Sequence, residues 1–129
     1  MKKSVLIIDN DPIYRTISHK IIEKLDLAET IYVEKNGYTA IQFLTNLIEN
    51  KSSVPQIILL DIEMPVMNGW EFMDEYCKFE NILLQEIDIF IVSSSISQVD
   101  KDKANTYSEI KGFISKPLTI DTLKSLLSD

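Results

Sequence analysis

A single cysteine, Cys77, is the only thiol in the chain, which excludes an internal disulfide and a thiolate metal cluster and leaves Cys77 to read as a small buried hydrophobe. The single histidine, His19, has no second histidine or any nearby cysteine to share a metal with, so it reads as an ordinary helix-surface residue. No apolar run approaches the roughly 18 residues that a membrane span needs. The opening MKKSVLIIDN has two lysines and a short apolar run, but acids follow where a secretion signal would continue apolar, so a cytoplasmic location is expected. Positive charge is scarce, with 13 Lys and Arg against 20 Asp and Glu and a formal net charge of −7. That balance argues against sequence-independent binding of nucleic acid, which neutralises phosphates with basic side chains, and favours proteins or cations as partners. Internal repeats and low-complexity tracts are absent too, and 129 residues with 45% hydrophobic content suit one soluble domain over 1–129, with no effector domain expected.

What is present is an alternation of buried-strand and helix patterns. SVLII (4–8), QIILL (56–60) and IDIFIV (87–92) are short, continuous and β-branched, as strands covered on both faces are. Two weaker strands are expected at TIYVE (30–34) and GFIS (112–115). Between them, Ile13, Ile17, Ile21 and Leu25 repeat at helical spacing, as do Ile41, Leu44, Leu47 and Ile48 in 38–50, and Phe72, Met73, Tyr76 and Phe79 in 70–80. Further helices are expected near 99–108 and at 119–128, and ENKSSVP (49–55) reads as a polar connection. The (βα)5 order predicts an α/β fold, a doubly wound three-layer sandwich on a five-stranded parallel sheet with right-handed crossovers.

In such folds the sites lie at the carboxyl ends of the strands. Strand one ends in Asp9-Asn10-Asp11, strand three in Asp61, strand four in Ser93-Ser94-Ser95 and strand five in Lys116-Pro117. If these ends converge, clustered carboxylates repel one another unless a hard cation binds, and carboxylate and amide oxygens suit Mg2+. A phosphate could then bridge the metal, a hydroxyl and the lysine. Asp11 directly before Pro12 is the usual start of a helix, an acid at the N-cap with proline in the first turn, which leaves the crevice mainly to Asp9 and Asn10. Taken singly, Asp61 could be a strand terminator, Ser93 a loop hydroxyl and Lys116 a solvated surface lysine.

Together, LIIDND, LLDIEMPVMNGWEF, IVSSS and GFISKPL, with Lys116-Pro117 following 55 residues after Asp61, resemble the receiver domain of bacterial two-component response regulators from Ser4 to Leu127. The resemblance implies a flavodoxin-like sheet of order 2-1-3-4-5. It implies that Asp61 accepts a phosphoryl group from a phosphohistidine on a sensor histidine kinase or histidine phosphotransfer protein. Mg2+ would be held by Asp9, Asn10, Asp61 and the backbone carbonyl of Glu63. Ser93 would bond one phosphoryl oxygen and Lys116 another, while Ser93 and Phe113 form the switch that reshapes the surface of the fourth helix, fifth strand and fifth helix for an output protein. Such a domain signals and turns over no external substrate.

Three departures matter. Asn10 replaces an acid, removing a charge worth about 4 kcal/mol at about 4 Å and an effective dielectric near 20 before solvent compensation, so weaker cation binding is expected. Phe113 lacks the hydroxyl of the alternative tyrosine and could be a plain core or surface aromatic. Glu63 and Ser95 stand two residues after Asp61 and Ser93, where the family tunes dephosphorylation. Two other readings remain open: a receiver-like scaffold that is never phosphorylated, and a phosphatase of the haloacid-dehalogenase type. IIDNDPI looks like the strand-one signature of the latter, with Asp9 as nucleophile and Asp11 as acid/base, but only Asp121 and Asp129 follow Lys116 where that family needs an acidic pair. Ile13 and Tyr14, as exposed apolar positions, are candidate contacts for the phosphodonor.

Overall fold

The computed structural model describes residues 2–79, 83, 86–94 and 96–128. Its elements run β1 (Lys3–Ile8), α1 (Pro12–Lys24), β2 (Ala28–Glu34), α2 (Gly37–Glu49), β3 (Ile57–Leu60), α3 (Gly69–Tyr76), β4 (Asp88–Ser93), α4 (Gln98–Ala104), β5 (Ile110–Ser115) and α5 (Ile120–Leu127), with one 3-10 turn over Cys77–Phe79. The five strands are all parallel in the order 2-1-3-4-5, so the expected three-layer fold is the one observed.

Alternate residues of each central strand serve opposite layers. Leu6, Ile8, Ile58, Leu60, Ile89 and Ile91 join the core that contains Leu44 of α2 and Phe72, Met73 and Tyr76 of α3. Val5, Ile7, Ile57, Leu59 and Val92 join the core that contains Ile22 of α1 and Leu123 and Leu127 of α5. Burial on both faces is why these strands read as unbroken apolar runs, each fully buried Ile or Leu contributing about 1.5–3 kcal/mol.

The helix starts are written locally. Asp11 accepts from the amides of Ile13 (3.0 Å) and Tyr14 (3.4 Å) with Pro12 in the first turn, as expected. Asn36 caps α2 through the Thr39 amide, and Asn68 with Glu71 forms a reciprocal capping box on α3.

Four expectations need correction. On α1, Ile13, Ile17 and Leu25 are 70%, 51% and 40% exposed, while Ile21 of the same series packs against the core together with Tyr14, Ser18 and Ile22. The aliphatic spacing identified the helix but sat one position away from its core face. Tyr14 accordingly is half-buried rather than exposed. The helix expected near 99–108 is the shorter α4, where Asn105 ends the helix and Thr106 and Tyr107 turn back on Lys103 and Ala104. Cys77 is half-buried in the 3-10 turn, not fully enclosed.

Candidate functional site

The carboxyl ends of β1, β3, β4 and β5 meet in one open cleft lined by Asp9, Asn10, Asp11, Pro12, Asp61, Glu63, Ser93, Ser94 and Lys116. Parallel pairing places them there. The register Ile8↔Leu60 brings Asp9 and Asp61 one residue beyond adjacent strand ends, and Ser93↔Ser115 brings Lys116 next to the end of β4. The backbone carries the alignment past the strands, with the Asp61 amide bonding the Ile8 carbonyl at 3.0 Å and the Lys116 amide bonding the Ser93 carbonyl at 3.0 Å.

Asp9, Asp61 and Ser93 are buried, at 3%, 7% and 7% exposure, which for the two carboxylates is unusual unless they are paired. The pairing comes from Lys116. Its Nζ lies 2.7 Å from Asp9 Oδ2 and 3.4 Å from Asp61 Oδ2, so one ammonium serves two carboxylates. The other oxygen of Asp9 accepts the Asp11 amide at 2.9 Å, and Arg15 donates to the Asp9 carbonyl at 2.5 Å. Asp9 is therefore fixed from both sides, while Asp61 makes the longer contact to Lys116.

The electrostatics follow. Burial, and then the charge of Asp9, push the Asp61 carboxyl above the usual carboxylate range, only partly offset by Lys116 and the Ile62 amide. Burial alone would lower Lys116, but the hydrogen bond to Asp9 and the charges of Asp61 and Asp9 outweigh it and hold the ammonium above the ordinary lysine value. The cleft is a site where two acids crowd one base, and a further cation would relieve the crowding.

The loop after Asp61 folds back tightly onto the end of β3. A Cβ on Gly69 would lie 2.7 Å from the Asp61 carbonyl oxygen and 2.9 Å from Ile62 Cα, so only glycine lets α3 begin so close to the end of β3. The Gly69 amide bonds the Ile62 carbonyl at 2.8 Å and closes that loop.

Of the residues expected at the site, Asp9, Asn10, Asp61, Glu63, Ser93 and Lys116 line one cleft, with Asn10 and Glu63 exposed at its rim. Asp11 borders the cleft but spends its carboxylate on capping α1. Phe113 lies beside Ile91 in the β4–β5 pairing, half-buried against the α2–α3 core. Ser95 lies outside the described residues. Tyr14 was expected as an exposed donor contact and its contact with Lys116 was missed: Lys116 Nζ lies 4.3 Å from its ring centroid. The signal was the spacing Tyr14, Ser18, Ile22, masked by the more apolar series beside it.

As a cation site the donor set is consistent in kind, with carboxylate, amide and carbonyl oxygens but no soft ligand, as Mg2+ prefers. Among the described residues no three His, Cys, Asp or Glu side chains are grouped to hold a metal, so two inward carboxylates and neutral oxygens would have to suffice.

The sequence matches the model of the response regulator receiver domain over residues 5–128. It is 30% identical over 126 residues to the sensor histidine kinase CheAY of Helicobacter pylori, covering 95% of this chain but 14% of that protein. With the chemotaxis protein CheY of Halobacterium salinarum it shares 26% identity over 133 residues, covering 100% of this chain and 97% of CheY. A two-component response regulator from Cytophaga hutchinsonii superposes with a TM-score of 0.82 at 33% identity, covering 98% and 95% of the two chains. The receiver domain of the histidine kinase CKI1 from Arabidopsis thaliana, solved with Mg2+ and BeF3−, has the same fold, with a TM-score of 0.79 at 22% identity over 96% and 89% of the chains. Among the described residues no helix is long and apolar enough to cross a membrane. The chain thus belongs to the response regulator receiver domains, the phosphoacceptor signalling domains of two-component systems.

Proposed function

We propose that Asp61 is the phosphoacceptor of this chain and that Lys116 and Ser93 receive the phosphoryl oxygens. The observation that carries the reading is the shared ammonium: Lys116 already bridges Asp9 and Asp61 in the cleft. An Asp61 oxygen attacks phosphorus in line as the P–N bond of a phosphohistidine breaks, and the released imidazole takes a proton from solvent. Phosphoryl transfer depends on position and charge neutralisation more than on covalent help, and these residues supply both. Asp9, Asn10, Asp61 and the Glu63 carbonyl would hold Mg2+, which supplies the remaining positive charge. That assignment draws support from the oxygen donor set here and from the Mg2+ in the CKI1 receiver domain.

The added phosphoryl brings roughly −1.5 to −2 of charge, which draws Ser93 and Lys116 inward and biases the loops after β4 and β5. Phe113 turning inward would pass that change to the α4–β5–α5 face, where an output protein reads it. The donor is a sensor histidine kinase or a histidine phosphotransfer protein. Its docking surface is the exposed Ile13 and Ile17 on α1, which borders the cleft. We read the chain as a single receiver domain, located in the cytoplasm, that turns over no external substrate.

Incubation with phosphoramidate or acetyl phosphate and Mg2+, followed by intact mass measurement, is expected to give one phosphoryl adduct that Asp61→Asn abolishes. An adduct that survives in Asp61→Asn and needs Asp9 would instead indicate phosphatase chemistry, although Asp11, its required acid/base, is committed to the α1 cap. No adduct even with the cognate kinase would indicate a scaffold. Asn10→Asp restores a charge at the rim and is expected to tighten Mg2+ in a Trp70 fluorescence titration. Unchanged or weaker affinity would count against Asn10 facing the cation.

A further inference from the structure

Tyr14 joins two parts of the site that are far apart in sequence. It sits in the first turn of α1, half-buried, and packs against the core that α1 shares with α5. Its hydroxyl accepts the backbone amide of Leu118 at 2.9 Å, a contact across 104 residues. Its ring carries the Lys116 ammonium 4.3 Å from the centroid. One side chain thus holds the β5–α5 turn both at Lys116 and two residues beyond it, across the cis Lys116–Pro117 bond.

The ammonium therefore has two kinds of neighbour, the carboxylates of Asp9 and Asp61 and the face of an aromatic ring. The ring attracts a cation within about 6 Å without adding a formal charge or a strong acceptor. It restricts where a long, rotamer-rich lysine can go, yet leaves the ammonium's protons for an incoming oxygen. Fixing the group before the reaction removes reorganisation from the barrier.

We propose that Tyr14 is a positioning residue for Lys116, its ring holding the ammonium in the cleft. The proposal deepens the phosphoacceptor reading of Asp61 and rests on it. Two measurements on the full chain separate the two. The side-chain Hε resonances of Lys116, assigned by their loss in Lys116→Arg, should be shifted upfield by the ring, keep that shift in Tyr14→Phe and lose it in Tyr14→Leu. The phosphoramidate reaction with Mg2+, followed by intact mass, should be about five-fold slower in Tyr14→Leu and within about two-fold of the original in Tyr14→Phe.

A Tyr14→Leu protein that reacts at the original rate overturns the proposal, and so does a Tyr14→Phe protein as slow as Tyr14→Leu. If the unaltered chain takes up no phosphoryl group, the acceptor reading falls, and the Lys116 resonances alone decide the positioning. A shift surviving in Tyr14→Leu overturns it; one lost there and kept in Tyr14→Phe supports it. Should circular dichroism show Tyr14→Leu unfolded, Tyr14→Met, which fills similar space without a ring, takes its place.

Discussion

Helices α1 and α2 are each 13 residues long and carry aliphatic side chains at the same helical spacing, but they face opposite ways. On α2, Leu44 is fully buried and Ile41, Leu47 and Ile48 pack around it. On α1, Ile13 and Ile17 are exposed, and the inward face is Tyr14, Ser18, Ile21 and Ile22. Periodicity marks a helix; the rest of the fold decides which stripe it buries. α2 buries its aliphatic face, whereas α1 leaves Ile13 and Ile17 exposed and packs with Tyr14, Ser18, Ile21 and Ile22.

The largest effects that would break this comparison concern stability. Leu44→Ala and Ile22→Ala should each lose about 2–5 kcal/mol in urea unfolding, while Ile17→Ala should change by less than about 0.5 kcal/mol. An Ile17→Ala loss as large as that of Leu44→Ala would place the α1 stripe in a core.

Next comes contact with the phosphodonor. Ile17→Asp should slow phosphoryl transfer from the cognate kinase or phosphotransfer protein about ten-fold, equivalent to about 1.4 kcal/mol, and leave the reaction with phosphoramidate unchanged. Equal slowing with both donors would mean that the substitution disturbs the cleft instead.

The smallest effect belongs to the cleft that α1 borders. The Asp61 carboxyl is raised by burial and by Asp9, so the folded chain binds its proton more tightly than the unfolded chain does. Stability from this group is present below the unfolded value near 3.8 and is lost as pH rises through the higher folded value. Asp61→Asn should therefore raise the melting temperature at pH 7, with the gain shrinking toward acid pH. A gain independent of pH would assign the effect to packing rather than charge.

Most of the fold was legible because its signals are local. SVLII, QIILL and IDIFIV read as buried strands, and Asp11-Pro12 as a helix start, since caps and strand patterning depend on neighbours a few residues away. The convergence of Asp9, Asp61, Ser93 and Lys116 was legible too, since parallel strands in a doubly wound sheet bring their carboxyl ends together. Less legible was how they share charge. The spacing of 55 residues joins Lys116 to Asp61, yet in the structure the shorter contact is to Asp9. Tyr14 was hidden for a related reason: its partners Lys116 and Leu118 lie about a hundred residues away and leave no periodic trace.

By itself, then, the sequence determined the element order, the helix caps and the set of side chains at the strand ends, because backbone propensity and alternating burial act over a few residues. Only the tertiary structure decided which stripe of α1 turns outward, how one ammonium is divided between two buried carboxylates, and that a tyrosine backs it. Those outcomes depend on distances between groups brought together from opposite ends of the chain, where a shift of an ångström changes which pair dominates.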